Sequence, residues 1–400
     1  MELRSPESFW LLKNGILNSY PSLKNNQRCD IAVIGSGITG ALISHALYRS
    51  GFDTILLDKR DVANGSSSAT TSMLQYEIDT PLTQLAEMIG EEAAVTCYRE
   101  GIRSIKHLEA IIKEETIDCG FEKKESLQLA HSQKAVEDLS KEFEFRKKQG
   151  FDVHWLSPEE LKERYKMDSF PGILSTEGAS IDAFRFAHGL IARNHTKGMQ
   201  VFDHTPIRKI EYNDKRVQIL TEEGYKIVCK KIVFCTGFET LSMFRKKYAD
   251  IVSTFACVCE QDFNRYEELK DTLIWDTADP YIYMRTTDDK RLLVGGEDIP
   301  FKNNTLREKK KGEKAKKLIR KVEKMFPGID FTEDYHWAGA FGVTKDGLPF
   351  IGEHPDFPNA LFVLGLGGNG ITFSVQGMDL VLKILARRTD PLLEYYRFDR

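Results

Sequence analysis

Residues 30–58 read DIAVIGSGITGALISHALYRSGFDTILLD, and this stretch decides the fold. DIAVIG is a short Val/Ile-rich run closed by glycine, the pattern of a strand buried on both faces. In ALISHALYRS, Leu42, Ile43, Ala46 and Leu47 fall on one helical face, and Gly51 stops the helix. DTILLD is a second buried strand. Strand, helix and strand in about 30 residues make a right-handed βαβ unit.

The turn inside that unit is Gly35-Ser36-Gly37-Ile38-Thr39-Gly40, a GxGxxG sequence, and Asp58 ends the next strand. Gly35 permits the tight turn, Gly37 admits a pyrophosphate close to the backbone, and Gly40 lets helix and strand pack closely. The helix start offers unpaired N–H groups to phosphates. Asp58 can accept hydrogen bonds from a ribose, and an acid there disfavours a 2′-phosphate and hence NADP. A glycine-rich turn between two core elements is the bland alternative, but strand before and helix after make it the weaker one. The fingerprint alone does not separate NAD from FAD.

Working outward, residues 82–115 carry apolar positions at near-helical spacing and are expected to form one long helix. Residues 132–149 read as a second amphipathic helix. Ser157-Pro158-Glu159-Glu160 is a capping box, and Asp182 caps a further helix that stops near Gly198. Short alternating strands are expected over 200–235 and 251–299, a helix over 305–326, and strand, glycine-rich turn and apolar helix over 337–386.

The composition is that of an ordinary folded chain. Of 400 residues, 56 are Lys or Arg and 60 are Asp or Glu, a formal net charge of -4, with 41% hydrophobic residues. This excludes a collagen-like or largely disordered chain and does not suggest a nucleic-acid binder. No secretory leader or spanning segment is visible. The seven cysteines are an odd number and read as reduced thiols, so a cytoplasmic protein is expected.

Three later segments favour FAD. After Lys59, GSSSATTSML (65–74) supplies small hydroxyl residues for a loop along a pyrophosphate and a flavin. FCTG (234–237) is a buried strand running into a tight turn. WAGAFGVTKDGLPFIG and LFVLGLGGNGITFSVQGMDLVLKIL close the chain. With the leader residues Phe9-Trp10 and Tyr20-Pro21-Ser22-Leu23, these motifs resemble the FAD-dependent oxidoreductases of the D-amino acid oxidase/glycine oxidase superfamily. The branch that is most similar holds sarcosine, glycine and γ-glutamylputrescine oxidases.

The resemblance implies noncovalent FAD. Ser36, Ile38 and Thr39 would meet the pyrophosphate, and Asp58 the adenosine ribose, with Lys59 beside it. Ser66, Ser67, Thr71, Ser72, Met73 and Leu74 would run past the phosphates to the flavin. Ile207 would hold the adenine through its backbone, and Thr236 and Gly237 would close over the dinucleotide. Gly339, Gly367, Gly368, Asn369, Gly370, Ile371 and Thr372 would border the ring. A helix start aimed at flavin N1/O2 stabilises the anionic reduced ring.

On the substrate side, PYIYMRTTDDKRLLVGGED (280–298) reads as a hairpin. Tyr281, Tyr283 and Arg285 share one strand face. Tyr283 is expected as a wall and Arg285 as a clamp for a substrate carboxylate. A surface strand with packed tyrosines is the competing reading. The arginine that many relatives carry after a Trp-x-Gly turn is replaced here by Ala340-Phe341, and Thr372 stands where sarcosine-type enzymes have lysine. No lysine occupies the Leu292-Leu293-Val294 strand, which leaves oxidase and dehydrogenase both open.

Other features read as structural. Cys257 and Cys259 are not expected to bind metal, and no metal site is expected. His336 and His354 are expected as satisfied turn residues. Residues 307–324 hold ten basic and three acidic residues and are expected as an amphipathic helix with a solvated basic face.

The fold class expected is α/β with an α+β second domain. A Rossmann-like FAD domain comes from 1–81, 165–250 and 335–400. A smaller substrate domain, built on an antiparallel sheet with helices, comes from 82–164 and 251–334. The reaction expected is oxidation of the C–N bond of a small-molecule amine or amino acid, by hydride transfer to flavin N5, giving an imine that hydrolyses. The alternatives are oxidation of a 2-hydroxy acid on the same fold, and an RNA-associated flavoprotein.

Overall fold

The computed structural model describes residues 2–262, 266–365 and 367–400. Two sheets divide the strands. In the first, strands Ala360–Leu364, Lys226–Phe234, Gln27–Ile34, Thr54–Leu57 and Gln200–Phe202 run parallel in that order. Phe350–Glu353 closes one edge antiparallel, and Ile207–Tyr212 and Val217–Thr221 extend Lys226–Phe234 as an antiparallel meander. The two strands flanking the GxGxxG turn sit side by side at the centre, with Ile31 opposite Thr54 and Ile34 opposite Leu57.

The helix of the βαβ unit is Ile38–Arg49. It packs against Gly370–Leu385 and Ala183–Thr196 on one face of the parallel sheet. Ala41, Leu42, Ile43 and Leu47 are fully buried there. At roughly 25 cal/mol per Å² of apolar surface, each large side chain so placed contributes about 1.5–3 kcal/mol.

The second sheet has nine strands. Its order is Glu333–Val343, Asp250–Cys259, Leu292–Pro300, Ile282–Thr286, Thr272–Asp276, Glu122–Leu129, Gly172–Ser180 and Met73–Gln75, with Val153–Leu156 also on Gly172–Ser180. Pairing is antiparallel except between Thr272–Asp276 and Glu122–Leu129. Met73–Gln75, Gly172–Ser180 and Glu333–Val343 therefore belong to this sheet, although the sequence segments 1–81, 165–250 and 335–400 group them with the dinucleotide fold. A strand's alternation is visible in its own residues; its pairing partner is not.

The expected long helix over 82–115 is two helices, Leu82–Ile89 and Glu91–Glu114. Gly90 separates them at φ 91°, a left-handed conformation open to glycine. The apolar period continues across the break and conceals it. The capping box at Ser157 is complete, with Ser157 Oγ accepting from Glu160 N and Glu160 Oε2 accepting from Ser157 N. Asp182 caps its helix by accepting from Arg185 N at 3.0 Å.

The basic helix is Asn304–Met325. Ala315, Leu318 and Val322 pack onto the second sheet. Its basic face is not wholly solvated. Arg307 and Lys314 are buried, Lys314 donates to Glu297 at 2.9 Å, and Arg307 donates to the Glu2 carbonyl. All seven cysteines are free and buried. Among the described residues no helix is long and apolar enough to cross a membrane.

Candidate active site

A cavity of about 920 Å³ runs between the two sheets. One end is the GxGxxG turn. A Cβ on Gly40 would meet the Gly35 carbonyl oxygen at 1.7 Å, and one on Gly35 would meet the Cys235 carbonyl at 2.6 Å. Strand, turn and helix are thus closed on one another through glycine. Ser67 Oγ accepts from the Ile38 amide at 2.9 Å, which ties the 65–74 loop to the helix start.

Asp58 stands at this end. Its Oδ2 accepts from both Ser36 N and Ser36 Oγ at 2.7 Å, and its Oδ1 accepts from Arg60 N at 3.0 Å. Lys59 and Arg60 both pair with Glu239, at 2.7 and 2.9 Å. They are the only basic residues among the described ones that line the cavity, and both are matched by that carboxylate.

The loop between the two ends is held through three consecutive carbonyls. Ala69 O accepts from Trp337 Nε1 at 2.8 Å, Thr70 O from Trp10 Nε1 at 2.6 Å, and Thr71 O from Arg285 Nε at 2.6 Å. This corrects the clamp expected of Arg285. The side chain is 2% exposed, does not line the cavity, and also donates to Ile181 O and Thr286 O at 2.8 and 3.2 Å. Its guanidinium carbon lies 5.4 Å from the Trp10 ring centroid. Burial lowers its pKa to about 10, against the pull of Asp182 and Asp288, so it remains a cation at neutral pH and donates to three backbone carbonyls.

At the far end is the glycine-rich turn. Gly367 N donates to Gly342 O at 2.6 Å and Gly368 N to Asp79 Oδ2 at 2.9 Å. Asn369 Nδ2 reaches the carbonyls of Gln75 and Glu77. The first i→i−4 bond of helix Gly370–Leu385 is Phe373 N to Asn369 O at 3.0 Å. The amides of Gly370, Ile371 and Thr372 precede it, and these first-turn donors have no i−4 carbonyl within the helix. Gly370 and Ile371 line the cavity.

The second sheet supplies the opposite wall. Across six strands, register aligns Trp337, Ala256, Gly295, Tyr283, Trp275 and Gln128 in one row. All but Gly295 line the cavity. The Tyr281 and Tyr283 rings are 5.4 Å apart, and Tyr283 OH is 3.3 Å from Thr254 Oγ1. Around this wall stand Glu77, Asp79, Asp276, Asp279 and Asp298. Burial pushes Glu77 and Asp298 up to about 7. It also raises Asp276, and Asp79, which is open to the cavity but crowded by protein.

Most of the expected residues converge on this cavity. Gly35, Gly37, Ile38, Thr39, Asp58 and Lys59 line one end, with Ile207, Thr236 and Gly237. Ser66, Ser67, Thr71 and Met73 line the middle, and Gly339, Gly367, Gly368, Asn369 and Tyr283 the far end. Ser36, Gly40, Ser72, Leu74 and Thr372 do not line it. Ser36 is engaged by Asp58, and Gly40 by the Gly35 carbonyl. Leu74 is fully buried, and Thr372 Oγ1 turns back to Asn369 O. His336 pairs with Glu333 and His354 with Tyr248, both away from the cavity.

The acidic residues were missed in the sequence, yet a signal existed. In QYEIDT, Gln75, Glu77 and Asp79 alternate with the buried Tyr76 and Ile78 directly after the cofactor loop. That is a strand-like polar face aimed where the loop leads.

A βαβ turn, an acid ending its second strand, a hydroxyl-lined loop and a helix start facing one cavity define a dinucleotide-dependent enzyme of the FAD type. Residues 30–380 match the DAO family of FAD-dependent oxidoreductases, and the chain belongs to that family. It is 24% identical over 371 residues to glycine oxidase of Geobacillus kaustophilus, covering 90% of this chain and 94% of that one. The solved structure of that oxidase superposes with a TM-score of 0.75 over 91% of this chain and 96% of its own. Gamma-glutamylputrescine oxidoreductase of Escherichia coli is 22% identical over 397 residues, 95% of this chain and 90% of the relative.

The residues present fit FAD. The Gly37 cradle leaves only 3.1 Å between a would-be Cβ and Ser67 Oγ, so glycine keeps room for a phosphate. Asp58 faces the cavity at one end and the Gly370 helix start at the other. FAD is the cofactor, and the protein is an oxidoreductase.

Proposed function

We propose that the enzyme oxidises the C–N bond of an amine or amino acid. The observation that carries this reading is the aromatic wall of Tyr281, Tyr283 and Trp275, which shares one cavity with the Gly370 helix start and is edged by carboxylates. Held between the Asp58 end, the 65–74 loop and the Gly370 helix start, FAD would supply a two-electron acceptor for the hydride lost from carbon, the nitrogen proton leaving with it. The substrate CH–NH becomes C=N, and water then splits the imine to a carbonyl compound and ammonia or an amine. The relatives named glycine oxidase and gamma-glutamylputrescine oxidoreductase support this bond type.

The chain's own groups would do three things. Tyr281, Tyr283 and Trp275 exclude water and orient the amine. The first-turn amides at Gly370 and Ile371 present partial positive charge to the pyrimidine side of the ring. Asp298 and Glu77, both at about 7, change protonation near neutral pH. Either can take the proton that an ammonium must lose before its C–H bond is oxidised.

The test is anaerobic mixing of the FAD-loaded enzyme with separate panels of amines, amino acids and 2-hydroxy acids, followed by flavin absorbance. Bleaching by an amine or amino acid with release of ammonia or an amine is expected. Bleaching by hydroxy acids alone would overturn the reading.

A further inference from the structure

The charge on the cavity wall is one-sided. Glu77, Asp79, Asp276, Asp279 and Asp298 line it, while Lys59 and Arg60 are at the Asp58 end and held by Glu239. The cations behind the wall are also engaged. Arg146 binds Glu142 at 2.7 Å, and its Nη1, which has no hydrogen-bond partner, stands 3.7 Å from Glu77 Oε1. Lys314 and Lys321 share Glu297 at 2.9 and 2.7 Å. No arginine, lysine or histidine among the described residues lines the wall to receive a carboxylate.

Two oxygens there have no hydrogen-bond partner. Glu77 is 4% exposed, and its Oε2 is buried and unmatched; Asp298 Oδ1 is likewise unmatched. A buried acceptor without a donor is costly, so such atoms mark where a donor from outside belongs. Beside them, Tyr281, Tyr283 and Trp275 present aromatic surface, which attracts cations through the ring quadrupole. Acceptor oxygens and aromatic faces together match an ammonium and repel a carboxylate.

We propose that the substrate is a diamine or oligoamine, whose second, non-reacting cationic centre is held among Glu77, Asp79, Asp298 and the Tyr281–Tyr283 pair. The inference rests on the reading of the enzyme as a C–N oxidoreductase and narrows it. An α-carboxylate has no partner on this wall and would face several acids. The mismatch is electrostatic and so acts on binding before chemistry.

The test compares 1,4-diaminobutane with 4-aminobutanoate, which share the reacting C–N bond and differ in the distal charge. FAD-loaded enzyme is mixed anaerobically with each at pH 8, and the half-saturating concentration for flavin bleaching is read. A charge-assisted contact predicts a value roughly 10- to 150-fold lower for the diamine. Asp298→Asn, and separately Asp279→Asn on the exposed rim, should bring that ratio toward one. Equal or reversed ranking in the unmodified enzyme would overturn the proposal.

Failure of the oxidation reading looks different. If neither compound bleaches the flavin, calorimetry of 1,4-diaminobutane against the FAD-loaded protein decides. Saturable binding weakened by Asp298→Asn supports the cation site even without oxidation. Absence of binding overturns it.

Discussion

A Cβ on Gly295 would lie 2.4–2.5 Å from Cε2, Cζ and OH of Tyr283: the phenol ring rests on the one residue in its cross-strand row that has no side chain. The glycine therefore sets the depth of the substrate wall.

Gly295→Ala should lift the Tyr283 ring into the cavity. Flavin reduction should slow about 10- to 100-fold, the scale of a small misplacement at a reacting centre. FAD affinity should stay near that of the parent, because the dinucleotide end is untouched. Stopped-flow reduction and FAD titration separate the two, and an unchanged reduction rate would show that the ring position is not used.

Asp58→Ala should weaken FAD binding by about 1–3 kcal/mol through lost charge-assisted hydrogen bonds. Part of the loss comes from the turn itself, since Asp58 also holds Ser36 N and Arg60 N. The dissociation constant, measured by fluorescence of released flavin, checks this. An unaltered constant would remove Asp58 from the cofactor site.

Arg285→Lys should lower stability by about 2–4 kcal/mol, because an ammonium cannot reach three carbonyls in the planar fork geometry. Its effect on the preference between acid and amine substrates should be nil. Thermal unfolding of the FAD-loaded variant reads the first, and the ratio of half-saturating concentrations reads the second. A change in that ratio with unchanged melting would restore the carboxylate clamp.

Cation binding should strengthen as pH rises from 6 to 8. Glu77 and Asp298, raised to about 7, are mostly neutral below that value and ionised above it. Facing Asp298 are Asp79, Asp279, Tyr281, Tyr283 and, behind, Lys314; facing Glu77 are Arg146, Glu142, Tyr76 and Tyr98. The tyrosines are shifted upward and stay neutral in this range. The dissociation constant of 1,4-diaminobutane, titrated at fixed ionic strength, should fall across this window and do so less in Asp298→Asn.

The dinucleotide half was legible because its motif is local. Gly35 to Gly40 and Asp58 lie within one βαβ unit, and each glycine has a steric reason that sequence context exposes. The substrate half was not, because its wall is a row of residues from six strands far apart in the chain. Tyr283 was found from alternation in its own hairpin. Trp275 and Gln128 become its neighbours only through register. Arg285 failed for the same reason: sharing a strand face with Tyr283 fixed neither how deep it sits nor that Thr71 O and Ile181 O lie within its reach.

The three anchored carbonyls of Ala69, Thr70 and Thr71 join distant parts of the chain mechanically. Trp10 comes from the helix Phe9–Asn14, Arg285 from the hairpin, and Trp337 from the strand Glu333–Val343. Phe9 stacks on Trp337 at 5.7 Å, so the helix that carries Trp10 also leans on Trp337. Loss of either tryptophan therefore removes a support from the 69–71 backbone and loosens the helix Phe9–Asn14 with it.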